Sequence, residues 1–528
     1  MYNIDRAKLR PFSIDLLFQI LKGERPHNYE DLGVTYNDEV VTINHAYFEK
    51  NIETDHHEPL DITVRFQHCI FKTAISFRNH LISGLSFSNC IFEASLTIGV
   101  STGFDNISVQ WISVNACKLS SLNIFRCNVQ KGFYVTRAII ENILGLHFSN
   151  VPYVELFWIS DSGSFTIQET SIDTVSIRNS SIKNIGAGSS YYSNNENIIK
   201  SFNIVDGRFD SIRLAASINK LWLGPESFGT HKLIAKEIHI SAQLIFECYI
   251  RKVIDLEKLR VYDRIVSGST FSIEDVKTNK LIVEGLVNRG NLIFRNFSCL
   301  PVERRRSAFL IIDSVLNDTT FLNVDFDGFD NIIIYNSDVS DITTHGYHIK
   351  SIPNKSVSAF YDKQKPVIDF NNLDYSKLAG LYNQLSLAMQ KQGNQRMSNE
   401  YHASFLECKR LYFKQRKVKW VVRSVLWLNK QTNDYGRNWL QSSALTMAVA
   451  LVLFVLYVIS LKQHLPVFDT DQIPFFLGKY FEFTLPIHKT DFMIAKPNGY
   501  AILIDSISRI FIGILIYQTI TAFRKQGQ

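Results

Sequence analysis

The sequence predicts an all-β solenoid followed by an α-helical pair and two transmembrane helices. Three observations carry that expectation. Apolar doublets spaced i, i+2 recur roughly every 10 or 11 residues between Asp61 and Lys350. No proline lies between Val367 and Leu465. The 22 residues Leu440–Leu461 contain no charged residue, His, Pro or Gly.

Residues 1–58 read as an N-terminal cap, with a helix near Ser13–Lys22 and strands around Val40–Ile43. The opening 26 residues lack a signal-peptide pattern, because Asp15, Lys22 and Glu24 break their apolar runs. The repeat then fills 59–352. Its doublets include Ile62/Val64, Leu85/Phe87, Leu96/Ile98, Leu122/Ile124, Leu146/Phe148, Val154/Leu156 and Val175/Ile177. After the Gly/Ser/Asn-rich stretch Gly186–Asn197 they resume at Phe202/Ile204 and continue to Ile332/Ile334. A doublet places two side chains on one face of a short strand. No helical period flanks these strands, so each must stack on its counterpart one coil later, which is a β-solenoid.

A second regularity overlies the first. Asn follows an apolar residue by two positions in Phe77–Asn79, Phe87–Asn89, Phe148–Asn150, Ile177–Asn179, Phe294–Asn296 and Ile334–Asn336, which predicts a stacked hydrogen-bonding ladder. Another apolar residue arrives five positions on in Phe66/Phe71, Phe87/Phe92 and Ile177/Ile182. Spacing by five around a polar corner resembles the pentapeptide-repeat family over roughly Asp61–Lys350. The resemblance implies a right-handed β-helix. The family's small corner residue stands at Cys69, Cys90 and Cys127 and is missing from many coils, so less regular coils are expected, above all past Gly186. The seven cysteines are odd in number and several fall on repeat positions. That pattern predicts reduced, buried thiols of a cytosolic compartment rather than disulfides.

The proline-free stretch suits helix. A helix is expected over Asp374–Gln392, a stop at Gly393–Asn394 and a second helix from Gln395, within a region spanning 353–436. Tyr382–Arg410 resembles the helical pair that follows degenerate repeats in some bacterial membrane proteins, and Arg509–Lys525 resembles the terminal helix of that group. The resemblance implies an inner-membrane protein with a two-helix, ion-channel-like module at its end.

Charge is unevenly placed. Asp61–Lys350 holds 28 basic and 28 acidic residues, whereas Cys408–Gln528 holds 16 basic and 6 acidic, a net of +10. Between Cys408 and Asn433 stand Lys409, Arg410, Lys414, Arg416, Lys417, Lys419, Arg423 and Lys430, without an acid and interleaved with Trp420 and Trp427. Directly before a spanning helix, Lys/Arg excess with Trp marks the cytoplasmic interface and an anionic bilayer as the partner. Alternating aromatic and basic residues also bind single-stranded nucleic acid, and a charge run is otherwise a solvated helix face. The placement beside the span favours lipid.

A helix over 440–461 would be about 33 Å long, enough for a hydrocarbon core of ~30 Å. The other reading of such a segment is a buried helix of a soluble protein. A second span is expected at 501–523, where Asp505 and Arg509 share one face. Charges there are costly, so the two should pair near the far leaflet, and Asp505, Arg509 and Gln518 are the residues for pore lining or assembly. The other reading is an amphipathic helix. The loop 462–499, with its aromatic patch Phe475–Phe483, should face away from the cytoplasm, leaving both termini inside. It has no TVGYG-type filter, which argues against a potassium channel.

Catalytic patterns are missing. The P-loop, GxSxG, HExxH and dinucleotide-binding signatures do not occur, and the Cys and His spacings match no zinc site. Asp325, Asp327 and Asp330 do not follow the EF-hand order. His45 and His56–His57 read as surface residues. The expectation is therefore a non-enzymatic protein without cofactor. Its partners would be a cytoplasmic protein, the lipid bilayer and further copies of itself, but not nucleic acid. The alternatives are an oligomeric pore gated by the solenoid and a glycan-active β-helix, which would use paired carboxylates.

Overall fold

The computed structural model describes residues 4, 6–21, 24–37, 39–55, 60–78, 82–99, 107–160, 162–188, 198–225, 233–241, 245–300, 307–326, 328–345, 375–416, 420–461, 473–489, 493 and 497–526. They form two compact units, Met1–Ser337 with Asp341–Phe360, and Asp338–Ser340 with Tyr361–Gln528.

In the first unit, helix α1 (Ile14–Leu21) starts where the Ser13 hydroxyl accepts from the Leu16 amide at 3.1 Å, as an N-cap does. A β-solenoid of about 12 turns follows, over residues 40–345. The strand Val40–Asn44 pairs antiparallel with Val34–Asn37 but parallel with Leu60–Gln67. The strand expected within the cap is thus the first rung of the stack. Successive strands then alternate between two parallel sheets, so one coil consumes two doublets.

Register shows why the doublets recur. Leu122 and Ile124 pair with Leu144 and Leu146, and Val154 and Leu156 with Val175 and Ile177. All eight are at most 2 % exposed. The coil is 22 residues from Leu122 to Leu144, 21 from Leu144 to Phe165 and 26 from Ile212 to Ile238. Coils past Gly186 stay paired strand on strand up to His345, with a register shift between Tyr262 and Arg264. The irregularity lies in chain length between strands and in such local register shifts. Surface connections tolerate insertion because their backbone is solvated.

The five-residue spacing reflects a corner. Phe87 lies at the end of one sheet's strand and Phe92 in the other's, with ring centroids 5.2 Å apart, edge on. Each stacks on its equivalent one coil away, Phe66–Phe87 at 5.1 Å and Phe71–Phe92 at 4.6 Å. Between them comes a residue at positive φ and then a small one. His68, Asn89, Ala116, Arg126, Phe148, Glu169 and Asn179 hold the left-handed position. Cys69, Cys90, Cys117, Cys127, Ser149, Thr170 and Ser180 follow them and point inward, all 5 % exposed or less. Their side chains satisfy corner backbone: the Ser149 hydroxyl donates to the His147 carbonyl at 2.8 Å and accepts from the Cys127 amide at 3.1 Å. Cysteine is thus one of several small residues that fill this place. Burial pushes the Cys127 thiol up to about 12, and all seven cysteines are free.

Two doublets sit elsewhere than expected. Phe148 takes the left-handed corner at φ 51° and is 41 % exposed, so the buried pair is Leu144/Leu146. Likewise Val64/Phe66 replaces Ile62/Val64, because Val64 and Phe66 register with Leu85 and Phe87. The asparagine ladder is clearest in the later coils, and in an earlier one Asn150 donates to Asn128 at 3.4 Å. Asn296 donates to Asp275 and Asn323 to Asn296, both at 2.7 Å. At Asn89 and Asn179 the residue mainly supplies positive φ, which Asn tolerates. Asn79 and His56–His57 lie outside the described residues. Asp325 caps local backbone, accepting from the Gly328 amide, and Asp330 accepts from the Ser307 amide one coil away; Asp327 is outside the described residues.

The second unit is helical. Helix α2 (Tyr375–Lys391) and helix α3 (Gln395–Gln415) form a pair around the stop expected from sequence. Gly393 has φ 75°, and Asn394 caps α3 by accepting from the Met397 amide. Buried Leu378, Tyr382, Leu385 and Met389 lie at helical spacing on the inner face of α2. Next come α4 (Trp420–Asn433), a one-turn 3-10 segment Asp434–Gly436, and α5 (Trp439–Ser460). The chain closes with α6 (Ile473–Thr484) and α7 (Gly499–Gln526). Asn438 and Asn498 cap α5 and α7.

Helices α5 and α7 are long and apolar enough to cross a membrane, with mean hydropathy 2.4 and 1.8. Only 28 % of each apolar window is buried, whereas a core helix of a soluble protein hides most of its surface. Leu451, Val452, Val455 and Ile459 of α5 stand exposed. The second unit therefore carries the features of membrane association.

Candidate functional site

Three groupings of polar side chains stand out among the described residues of the helical unit. The first is built on Glu407 of α3. Its carboxylate accepts from Arg410 Nε at 2.9 Å and Nη2 at 2.7 Å, from Lys430 Nζ at 2.8 Å and from the Tyr435 hydroxyl at 2.8 Å. One acid thereby ties α3, α4 and the 3-10 segment together. The Arg410 fork holds the Glu407 carboxyl down at about 2 against the opposing effect of burial, with Lys430 and Tyr435 helping. Tyr435 is pushed up, by burial first and then by that carboxylate. Tyr435 sits at φ 59°, held there by the Asn433 side chain accepting from the Gly436 amide at 3.0 Å.

The second place joins α4 and α5 to α7. The Asn433 amide donates to Gln518 Oε1 at 2.6 Å, the Ser442 and Thr519 hydroxyls meet at 2.9 Å, and Trp439 packs edge-on against Phe523. Small hydroxyl residues at a helix seam allow close approach and supply hydrogen bonds where water is scarce.

The third lies between α7 and the segment after α6. Asp505 Oδ1 is 2.7 Å from Nε2 of His488, and both side chains are 1 % exposed. Asp505 Oδ2 is 2.8 Å from Arg509 Nη2, an ion pair one helical turn apart. That contact is too poorly aligned for a hydrogen bond, and Arg509 Nε and Nη2 find no acceptor among the described residues. Tyr457 of α5 feels both charges, and the Phe483 ring lies 5.7 Å from the imidazole.

The basic residues expected to face lipid divide in two. Arg410 is committed to Glu407, which sits one residue before the acid-free stretch. Lys414 and Arg416 are exposed; Lys409 lies over Phe405 at 5.5 Å and Phe413 at 5.8 Å, and Arg416 over Tyr412 at 5.9 Å. Arg423 is half-buried on α4. Lys417 and Lys419 lie outside the described residues. Trp420 and Trp427 are 75 % and 53 % exposed, together with Val421, Val422, Val425 and Leu428. An exposed apolar helix beside a basic segment has the composition of an interfacial helix.

Asp505 and Arg509 pair as the sequence suggested. Gln518 is bound to Asn433 rather than grouped with them. His488 was missed, because a single histidine two residues after Pro486 has no periodic signal. Part of the expected outer loop is helical. Helix α6 packs on α5 through Phe454–Phe483 at 5.5 Å and Tyr457–Phe483 at 5.6 Å, and the Tyr480 hydroxyl reaches the Met447 carbonyl at 2.8 Å. Its aromatic residues, read as a loop patch, repeat at helical spacing. Twelve residues make about 18 Å, too short to span ~30 Å. An apolar groove of about 530 Å³ runs between the two helices, lined by Leu451, Phe454, Val455, Ile473, Phe476 and Tyr480 among others. No protein-family model, curated protein or solved structure matches the chain.

Proposed function

We propose that the chain is a non-enzymatic, membrane-anchored repeat protein whose β-solenoid recognises a cytoplasmic protein. Helices α5 and α7 cross the bilayer, both termini lie on the cytoplasmic side, and α4 with the basic end of α3 rests on anionic head groups. The coexistence of a long stacked-strand surface with two apolar helices whose faces lie bare carries this reading. The pentapeptide-like spacing and the basic flank further support a bacterial inner membrane. The test is partition. The full-length protein should sediment with membranes, resist alkaline carbonate and dissolve in detergent, and recovery in the supernatant overturns the proposal.

A second reading is an oligomeric pore gated by the solenoid. Helix α6 favours it, since a half-length helix set against the middle of a span leaves non-helical backbone at depth, which occurs where protein or a water-filled path covers it. Purified protein in liposomes then conducts ions, and an Asp505→Ala/Arg509→Ala double variant changes the conductance. Liposomes that stay tight at every protein density exclude this reading and leave the scaffold intact.

A further inference from the structure

The outer face of one solenoid sheet carries aromatic rings laid flat on glycines. Ile112, Phe133 and Val154 point into the core and are fully buried, so their neighbours Trp111, Gly132 and Tyr153 face outward. Trp111 pairs with Gly84 on one side and Gly132 on the other, and the Phe133–Val154 pair sets Tyr153 on the rung of Gly132. One outward row therefore reads Gly84, Trp111, Gly132, Tyr153. A β-carbon at Gly84 would meet three indole atoms of Trp111 at 2.5–2.8 Å, and one at Gly132 would meet the phenol of Tyr134 at 2.7–3.0 Å. Both rings thus lie against backbone that only glycine leaves bare, and each turns its other face away from the sheet. Trp111, Tyr134 and Tyr153 are all partly exposed, and the centroids of the two tyrosine rings are 5.8 Å apart. Trp111 Nε1 and the Tyr134 hydroxyl sit on this aromatic floor as hydrogen-bond donors. Beside it run Ser83, Gln110 and Lys131, linked at 3.0 and 2.9 Å.

We propose that this floor docks a proline-rich segment in the polyproline II conformation, an inference that rests on the solenoid's role in protein recognition. Period, donors and backbone pairing select that occupant. Trp111 and Tyr153 stand two rungs apart, about 9.6 Å at ~4.8 Å per strand. A polyproline II helix repeats every three residues, about 9.3 Å, so a ligand lying across the strands presents one residue in three to both rings. Its backbone makes no internal hydrogen bonds, and its carbonyls accept from Trp111 and Tyr134. An α-helix has its carbonyls already satisfied. The strands Ile107–Asn115 and Cys127–Thr136 are paired on both sides, which leaves no edge here for an added β-strand. A nucleic acid needs an excess of cations, yet Lys131 is bound to Gln110 and Asp61–Lys350 balances 28 basic against 28 acidic residues.

The test uses full-length protein in detergent micelles and a fluorescein-labelled proline decamer, followed by fluorescence anisotropy. Saturable binding is expected, competed by unlabelled decamer and not by a glycine–serine decamer. Trp111→Ala and Tyr153→Ala should each weaken it at least about tenfold. Trp222→Ala, which removes an outward ring farther along the same sheet, should leave it unchanged. If Trp111→Ala does not fold, Tyr134→Phe, which keeps the ring, replaces it and weakens binding about threefold or more. Competition by cellohexaose marks a glycan floor and overturns the proposal. So does an absence of saturable binding, or equal binding by a folded floor variant. Such a failure removes this site alone, because the anchored-scaffold reading stands or falls on membrane partition.

Discussion

Single residues show how much local context the chain needs. Phe148 and Trp158 hold left-handed corners at φ 51° and 56°, an arrangement rare for bulky side chains, and each lies under an arginine, Arg126 and Arg137. Asn at such corners is cheaper because it adopts positive φ readily. Asn296→Ala therefore costs about 1–2 kcal/mol, from the lost ladder bonds to Asp275 and Asn323 and from the corner conformation. Chemical denaturation of the solenoid measures it, and an unchanged midpoint contradicts the ladder's contribution. Glu407 gives a pH prediction. Its carboxyl is held at about 2, below its ordinary 4.5. Its contribution is thus fully present above 4.5 and fades as pH falls through 2. The whole shift corresponds to about 3 kcal/mol, which solvent screening of a partly exposed network reduces to roughly 1–2 kcal/mol. Glu407→Gln should lower the melting temperature of the helical unit at neutral pH and flatten its acid dependence, followed by circular dichroism.

Elements were legible in proportion to their periodicity. The α2–α3 pair matches its expected bounds to within a residue or so, because Gly393 and Asn394 are strong stop and start signals. Helix α6 was read as loop, since twelve residues with Pro474 and Gly478 do not reach the length that marks a span. Its packing on α5 decides its form. The α5–α7 seam is held by Ser442 and Thr519. Thr519→Val should cost about 0.6 kcal/mol and at most about 1.7 kcal/mol, the range of interhelical hydrogen bonds in bilayers. Detergent-titrated unfolding checks this, and a loss well above that range points to packing instead. In α4, a Trp420→Ser/Trp427→Ser double variant should reduce quenching of tryptophan fluorescence by brominated lipids. Unchanged quenching removes α4 from the interface.

At the scale of the whole molecule, topology makes the widest claim. Cysteines introduced into the 462–499 loop on either side of α6 should react with an impermeant maleimide from outside intact cells, whereas cysteines on the solenoid should react only after lysis. The reverse pattern inverts the proposed orientation and moves α4 away from the anionic leaflet.

What sequence alone determined were the properties that repeat or sum along the chain: stacked strands from doublets, corners from spacing, the helical pair from its stop, and, from hydrophobic length, two helices long and apolar enough to span a membrane. Each depends on near neighbours, so it is written locally. Tertiary structure decided which residues meet across long gaps. Glu407 gathers Lys430 and Tyr435, Asn433 finds Gln518, and His488 reaches Asp505, none of them linked by any period. The physical reason is that buried polar groups must find partners wherever the fold brings donors and acceptors together, and that pairing is a property of packing rather than of sequence spacing.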